Sequence, residues 1–225
     1  LGQMLEQGCD RRVFIMRRGV DTDLFSPVKR ERTDSVFTLG YVGRLAPEKN
    51  VRFLAELEER LVAAGRADFR FMIVGTGSEL GWLEQNMRRA QFTGVLKGEA
   101  LARAYASLDL FIFPSQTDTF GNVVLEAQAS GLPAIVSSKG GPKFIVRDGA
   151  TGYVADGSQE FLGATMTLMS QSETLRQMRE SARQMACAAS WESIFDQVYE
   201  AYAFSLERHE AERGVPVVTR FCEEQ

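Results

Sequence analysis

The chain has 225 residues, 44% of them hydrophobic and 25% charged, which is enough apolar material for one large hydrophobic core or two small ones. Its net charge of −4 provides no general attraction for nucleic acid, so we expect no nucleic-acid partner, and any phosphate must be bound by local cations and backbone amides. The three cysteines lack metal-ligand spacing, and the single histidine, His209, excludes a histidine-based triad within this chain.

The first residues differ in pattern from the rest. The chain begins at Leu1 rather than at a methionine, and residues 1–12 have the pattern of a helix end, so we expect a fragment of a longer protein. Residues 13–16 are predicted to form a short strand, and residues 17–32 have the mixed charge, glycine and proline of a linker. We therefore assign residues 1–34 to the end of a preceding domain and an interdomain linker.

From residue 35 the chain alternates between short apolar runs, typical of strands, and amphipathic stretches, typical of helices. Such alternation produces right-handed βαβ units. The predicted fold is therefore α/β, a doubly wound (Rossmann-like) parallel sheet of about six strands with helices on both faces and ligands at the carboxyl ends of the strands. The predicted strands are 36–43, 69–74, 92–96, 110–113, 134–137 and one near 153–154, and the predicted helices are 51–64, 79–90, 99–107, 120–131 and a short one from 142.

After residue 157 the pattern is purely helical, over 158–169, 173–187 and 191–209. Trp191, Ile194, Val198 and Tyr202 recur at helical spacing and are predicted to pack against the sheet. We assign residues 35–210 to one Rossmann-like domain with C-terminal helices, and residues 211–225 to a tail. The chain has neither a membrane-spanning apolar run nor a signal peptide, and its cysteines suit free thiols, so we expect a cytoplasmic protein.

The stretch from Pro114 to Glu126 combines a strand end, a polar loop and a helix start. The first turn of that helix, around Phe120 to Val124, presents free N–H groups and a partial positive charge, which suits a phosphate. Asp118 lies before the helix and Glu126 about one and a half turns into it, so both carboxylates could line one pocket beside the phosphate. Carboxylates beside an anion are unfavourable unless they bind hydroxyls, and a nucleotide sugar supplies both groups. The alternative is that Asp118 is a turn or cap residue and Glu126 a solvated helix position.

Three other predicted strand ends carry loops with unusual polar or glycine-rich composition. Arg44 and Lys49 lie on one such loop, and a diphosphate needs about two cations that approach from one side, although each residue taken alone is typical of a solvated surface charge. Asn50 is predicted to cap the helix that follows. The turn at 75–77 lets the backbone approach a ligand but matches neither a dinucleotide fingerprint nor a P-loop. The third loop is Lys139-Gly140-Gly141-Pro142, and all these strand ends are expected to meet in one crevice.

Several segments resemble one enzyme family when they are taken together and in order. These are Y-V-G-R-L-x-P-E-K-N, the V-G-x-G turn, Y-A-S-L-D-L-F-I-F-P-S, T-F-G-N-V-V-L-E-A and G-L-P-A-I-V-S. They are similar to the donor-binding domain of the retaining, GT-B-fold glycosyltransferases of family 4, over roughly residues 12–205. The resemblance implies that this chain is the C-terminal, nucleotide-sugar-binding half of such an enzyme.

The resemblance also implies roles for individual residues. Arg44 and Lys49 correspond to the cations that bind the diphosphate, and the family's E-x7-E motif falls on Asp118 and Glu126. In the family the second acid holds the ribose hydroxyls and the first lies against the transferred sugar, so we assign catalytic roles to Arg44, Lys49 and Asp118. The nucleobase is expected against the backbone around Val95. The predicted substrate-binding set also contains Gly43, Gly75, Phe120, Gly121, Asn122, Val123 and Val124.

Two departures from the family pattern bear on the sugar. The first acid is Asp118 instead of the commoner glutamate, and is one methylene shorter. The family often has a glutamate a few residues after the paired glycines, where this chain has Phe144. Both differences affect the identity of the sugar more than the type of reaction.

The sequence therefore predicts transfer of a hexose from a UDP- or GDP-sugar to a hydroxyl of an acceptor glycan, lipid or small molecule, with retention at the anomeric carbon. No cofactor or metal is expected, and the isolated fragment is expected to be inactive without its N-terminal domain. The full-length protein is expected in the cytoplasm or at the inner face of the membrane. Two alternatives stay open: a nucleotide-sugar epimerase of the same fold, which needs no acceptor, and a flavodoxin-like phosphate-binding module, which has no preference for nucleotide sugars.

Overall fold

The computed structural model describes residues 14, 16 and 18–213. They divide into two compact units, one spanning Val20–Ser190 and one that contains the last helix. The strands are β1 (Phe37–Val42), β2 (Phe69–Val74), β3 (Ala90–Gly94), β4 (Leu110–Phe113), β5 (Ala134–Ser137) and β6 (Gly152–Ala155). The helices are α1 (Arg52–Ala63), α2 (Leu80–Asn86), α3 (Gly98–Ala106), α4 (Asn122–Ala129), α5 (Gly157–Ser170), α6 (Ser172–Cys187) and α7 (Trp191–Arg213), with short 3₁₀ helices at Pro27–Lys29, Pro47–Lys49 and Pro142–Phe144.

The six strands form one parallel sheet in the order β3-β2-β1-β4-β5-β6. Every residue of β4 and β5 is buried, as expected for central parallel strands that helices cover on both faces. The aromatic rings of neighbouring central strands also stack, with 6.0 Å between the ring centroids of Tyr41 and Phe113. The predicted doubly wound parallel sheet is confirmed.

The amino-terminal edge of the central strands is held by a buried carboxylate. Asp109, just before β4, accepts a hydrogen bond from the backbone N–H of Thr38 and pairs with the guanidinium groups of Arg30, Arg32 and Arg179. Arg30 also donates to the carbonyl oxygen of Leu108 at 2.8 Å. This cluster joins the linker, the first and fourth strands and α6, at the sheet edge opposite to the one where ligands are expected.

Two local predictions are wrong. The helix predicted over 79–90 is shorter, because Met87 adopts an extended conformation (φ −105°, ψ 124°), and β3 accordingly begins at Ala90 rather than at residue 92. Asn50 does not cap α1. It ends the preceding 3₁₀ helix in the left-handed conformation (φ 54°), and its side-chain nitrogen lies 3.5 Å from the carbonyl oxygen of Pro114.

The last helix differs from the predicted packing. Ile194 is buried, but Trp191 is 39% exposed and Tyr202 is 65% exposed, so these two side chains do not form part of a core as predicted. Phe14 and Met16 have no regular structure, while residues 1–12 and most of the predicted tail lie outside the described residues. The predicted domain bounds of 1–34, 35–210 and 211–225 stay a prediction. No helix in the described part of the chain combines the length and apolar character needed to cross a membrane.

Candidate functional site

The crevice between the carboxyl ends of β1 and β4 is the candidate site. The chain runs outward from β1 through β2 to β3, and then returns to place β4 on the other side of β1. The loops that follow β1 and β4 therefore lead in opposite directions, and this switch point is where doubly wound sheets bind ligands. The predicted cations follow β1, and the predicted acids follow β4.

Direct contacts join these two loops. The ammonium nitrogen of Lys49 lies 2.7 Å from Oδ1 of Asp118, and both side chains are only about a fifth exposed, at 19% and 20%. The hydroxyl of Thr117 donates to the carbonyl oxygen of Glu48 at 2.9 Å. The second carboxylate oxygen of Asp118 is buried and has no partner among the described residues. The structure thus brings together the predicted diphosphate-binding lysine and the predicted sugar-binding acid.

Arg44 is held differently from Lys49. Its side chain is 67% exposed and pairs with Glu48, four residues further on, at 2.9 Å. The backbone of Arg44 is fixed, because the buried hydroxyl of Tyr41 donates to the Arg44 carbonyl oxygen at 3.0 Å. Burial and the nearby carboxylates of Asp118 and Glu48 raise the pKa of Tyr41 above its usual value, so the hydroxyl stays protonated and can donate. Arg44 therefore combines a fixed backbone with an exposed side chain whose partner is a surface carboxylate.

The start of α4 has no side-chain cap. Gly121 occupies the N-cap in the left-handed conformation (φ 93°), and it offers no side chain to the first-turn N–H groups. The N–H of Val124 bonds back to the Gly121 carbonyl at 2.9 Å, while Asn122 and Val123 lie in the first turn, where backbone donors have no acceptor within the helix. The side chains of Phe120 and Val123 are half-buried and that of Asn122 is exposed. Uncapped N–H groups at a helix start suit an anion, and the phosphate site stays a prediction.

Glu126 has a partner that the sequence did not predict. The hydroxyl of Tyr105, on α3, donates to Oε2 of Glu126 at 2.9 Å. Burial raises the pKa of Glu126, while the hydrogen bond from Tyr105 lowers it in part. Tyr105 is fully buried, and a buried tyrosine normally finds a hydrogen-bond partner, so the tyrosine at the start of Y-A-S-L-D-L was the available signal.

Close backbone contacts fix the positions of the loops. A Cβ atom added at Gly75 would lie 1.9 Å from the Gly43 carbonyl oxygen, and one added at Gly141 would lie 1.8 Å from the Thr119 carbonyl oxygen. The Gly141 N–H also donates to the Asp118 carbonyl at 2.7 Å. The loops after β2 and β1, and those after β4 and β5, therefore meet main chain to main chain, which requires glycine.

Val95 lies apart from this cluster. It follows β3, the edge strand two places from β1, and is 59% exposed. Among the described residues, no group of three or more His, Cys, Asp or Glu side chains is placed to hold a metal ion.

Comparison with known proteins identifies the family. Residues 36–171 match the family model described as glycosyl transferases group 1. The chain belongs to this family. The match includes the loops after β1 and β4 and therefore the whole crevice.

Three proteins illustrate the relationship between this group 1 glycosyl transferase and known proteins. The chain is 38% identical to a GDP-mannose-dependent alpha-mannosyltransferase of Corynebacterium glutamicum, over 89% of this chain and 48% of the relative. It is 31% identical to a D-inositol 3-phosphate glycosyltransferase of Geodermatophilus obscurus, over 92% of this chain and 51% of the relative. A structure of HepE from Anabaena in complex with UDP-glucose superimposes with a TM-score of 0.69 at 21% identity, covering 82% of this chain and 56% of that one.

These comparisons confirm the predicted family and the predicted fold, one half of a GT-B architecture. The chain spans about half the length of the curated relatives that it matches.

Proposed function

We propose that this chain is the donor-binding half of a retaining glycosyltransferase that moves a hexose from a nucleotide-diphosphate sugar to an acceptor hydroxyl. The observation that carries the proposal is the Lys49–Asp118 ion pair beside the uncapped start of α4. Both lie at the switch point of the sheet in a group 1 glycosyl transferase. A cation, backbone donors and a carboxylate are the groups that a diphosphate joined to a sugar requires.

Each group has a chemical task in this proposal. Arg44, Lys49 and the N–H groups at the start of α4 stabilise the negative charge that grows on the departing diphosphate, which lowers the barrier because the interaction is strongest in the transition state. Asp118 accepts a hydrogen bond from a hydroxyl of the transferred sugar, and Glu126 from the ribose. The base lies against the backbone near Val95. In the free protein the Asp118 carboxylate pairs with Lys49, so the incoming diphosphate has to replace this carboxylate as the partner of Lys49.

For the donor we propose a GDP-sugar, with GDP-mannose as the first candidate. The relative at 38% identity is named for GDP-mannose, whereas the structure solved with UDP-glucose is only 21% identical. The acceptor is a glycan, lipid or small molecule, and the other half of the protein supplies its binding site. We propose that the full-length protein works in the cytoplasm or at the cytoplasmic face of a membrane, without a metal or cofactor.

Calorimetry on the 225-residue chain tests the phosphate site. GDP is expected to bind more tightly than UDP, and Arg44→Ala is expected to weaken binding by about 10-fold or more, since a charge-assisted contact contributes about 1.5–3 kcal/mol. Arg60→Ala is the matched control, because Arg60 forms the same kind of exposed pair with a glutamate one turn away, but within α1. Unchanged binding in Arg44→Ala would reject the assignment of the phosphate site.

A donor panel on the full-length protein tests the reaction. The expected product has the same anomeric configuration as the donor sugar, which NMR reads directly, and the 225-residue chain alone is expected to bind nucleotide without measurable transfer. An inverted product would reject the retaining mechanism. Interconversion of donor sugars without an acceptor would instead indicate an epimerase.

A further inference from the structure

We propose that Tyr105 is a positioning residue that holds Glu126 for the ribose of the nucleotide donor, an inference that rests on the proposed function. The tyrosine hydroxyl donates to Oε2 of Glu126 at 2.9 Å, across the gap between α3 and α4. Tyr105 is the one donor that the described part of the chain gives to this carboxylate. Oε1 is therefore left to accept a hydrogen bond from a ligand.

The tyrosine ring is fixed independently of the ligand. Tyr105 is fully buried, its ring meets that of Phe25 edge-on with 5.6 Å between centroids, and it lies 5.7 Å from the ring of Phe111 in β4. The hydroxyl is thus supported by the core of the sheet. A glutamate side chain that begins on a helix has several rotamers, and a fixed partner selects one of them before the ligand arrives.

The electrostatics of the pair fix which atom carries the proton. Burial and the charge of Glu126 raise the pKa of Tyr105 well above its usual value, so the phenol remains protonated and always donates. Burial raises the pKa of Glu126, and the bond from Tyr105 opposes that rise. The hydrogen bond from Tyr105 thus counteracts the effect of burial on the pKa of Glu126.

A purely structural role for Tyr105 makes a different prediction. If the hydroxyl only supplied a hydrogen bond to a buried carboxylate, its loss would lower the stability of the protein and would weaken the binding of all nucleotides equally. If it positions Glu126, its loss removes the contribution of the ribose hydroxyls in particular.

The experiment compares GDP with 2′,3′-dideoxy-GDP by calorimetry, or UDP with its dideoxy analogue if UDP binds more tightly. In the wild-type chain, loss of the hydroxyls is expected to weaken binding by roughly 10- to 100-fold, the range for hydrogen bonds to a charged group. Tyr105→Phe keeps the ring packing. In this variant we expect the ratio of the two dissociation constants, dideoxy-GDP to GDP, to fall below about threefold, because the binding of GDP weakens and that of the dideoxy nucleotide does not.

Tyr41→Phe is the matched control, since Tyr41 is equally buried and its hydroxyl donates to the backbone of the first loop. It is expected to keep the wild-type ratio between the two nucleotides. A second variant, Glu126→Asp, keeps the charge but shortens the reach by one methylene, and it is expected to lose the ratio as Tyr105→Phe does.

The outcomes separate this inference from the proposed function. A wild-type protein that binds both nucleotides equally would reject the ribose role of Glu126, and with it the role of Tyr105. A wild-type protein that distinguishes them, with Tyr105→Phe keeping the full ratio, would overturn the positioning role and leave the proposed function intact.

Discussion

Asp118→Asn is expected to tighten the binding of a free nucleoside diphosphate while slowing sugar transfer. In the free protein Asp118 holds the ammonium group of Lys49 at 2.7 Å. A diphosphate that binds this lysine has to break the pair and also approach the negative charge of Asp118. The asparagine has the same size but no charge, so both costs disappear.

The structure sets the size of the effect. The two side chains are 19% and 20% exposed, which places the pair between an exposed ion pair, contributing about 0–1 kcal/mol, and a fully buried one. A charge-assisted hydrogen bond contributes about 1.5–3 kcal/mol, and solvent screening reduces this to about 1–2 kcal/mol here. At about 1.4 kcal/mol for each factor of ten, GDP should bind about 5- to 30-fold more tightly to Asp118→Asn. Transfer by the full-length variant should fall, because the sugar loses its carboxylate acceptor.

Calorimetry with GDP at constant ionic strength measures the gain in affinity. Glu48→Gln is the matched control, because it releases the other cation of the same loop from an exposed pair, with side chains 67% and 44% exposed. Its effect should be only about two- to threefold, as for surface ion pairs. Equal or weaker GDP binding by Asp118→Asn would show that the pair does not compete with the diphosphate, and would refute the reasoning.

Three further predictions concern stability and metal dependence. Asp109→Asn should lower the free energy of unfolding by about 3–5 kcal/mol, since the guanidinium groups of Arg30, Arg32 (8% exposed) and Arg179 all lose the buried carboxylate that they share. Burial raises the pKa of Asp109, but a backbone N–H and the guanidinium groups lower it below its usual value. This part of the stability is therefore present above the pKa that Asp109 has in the unfolded chain, near 4, and it is lost as the pH falls through the pKa that Asp109 has in the folded protein. Denaturant titrations at pH 7 and pH 3 should show a smaller difference in the free energy of unfolding between the two pH values in the variant than in wild type. Gly141→Ala should cost about 1–3 kcal/mol, because its Cβ would lie 1.8 Å from the Thr119 carbonyl oxygen, whereas Gly163→Ala, with open space around it, should be neutral or slightly stabilising in thermal melts. Transfer by the full-length protein should be unchanged in EDTA, and loss of activity that Mg²⁺ or Mn²⁺ restores would contradict the metal-free proposal.

The sequence was sufficient to predict β4 and the helix that follows it. The run at 110–113 is wholly buried as β4, and the helix predicted after Phe120 begins at Asn122. Both predictions depend on local composition, and tertiary contacts do not overrule it. The cap assigned to Asn50 failed for the opposite reason: this residue adopts the left-handed conformation, and its side chain faces a loop from another strand.

The pairing of side chains within the site was beyond sequence reasoning. Lys49 and Asp118 are separated by 69 positions, and Tyr105 and Glu126 by 21, so no spacing rule connects them. The periodicity of α7 likewise shows an apolar stripe but not what covers it, and Trp191 is exposed where packing was predicted. Such facts depend on how elements meet in space, which a single sequence does not encode locally.

The glycine contacts between the loops have a consequence for engineering. The crevice is supported at Gly75 and Gly141 by contacts of main chain against main chain, and these two contacts do not depend on the identity of the side chains that line it. Substitutions at positions 116, 119 and 139 can therefore be combined in one library to select new donor sugars, while Gly75 and Gly141 are kept unchanged.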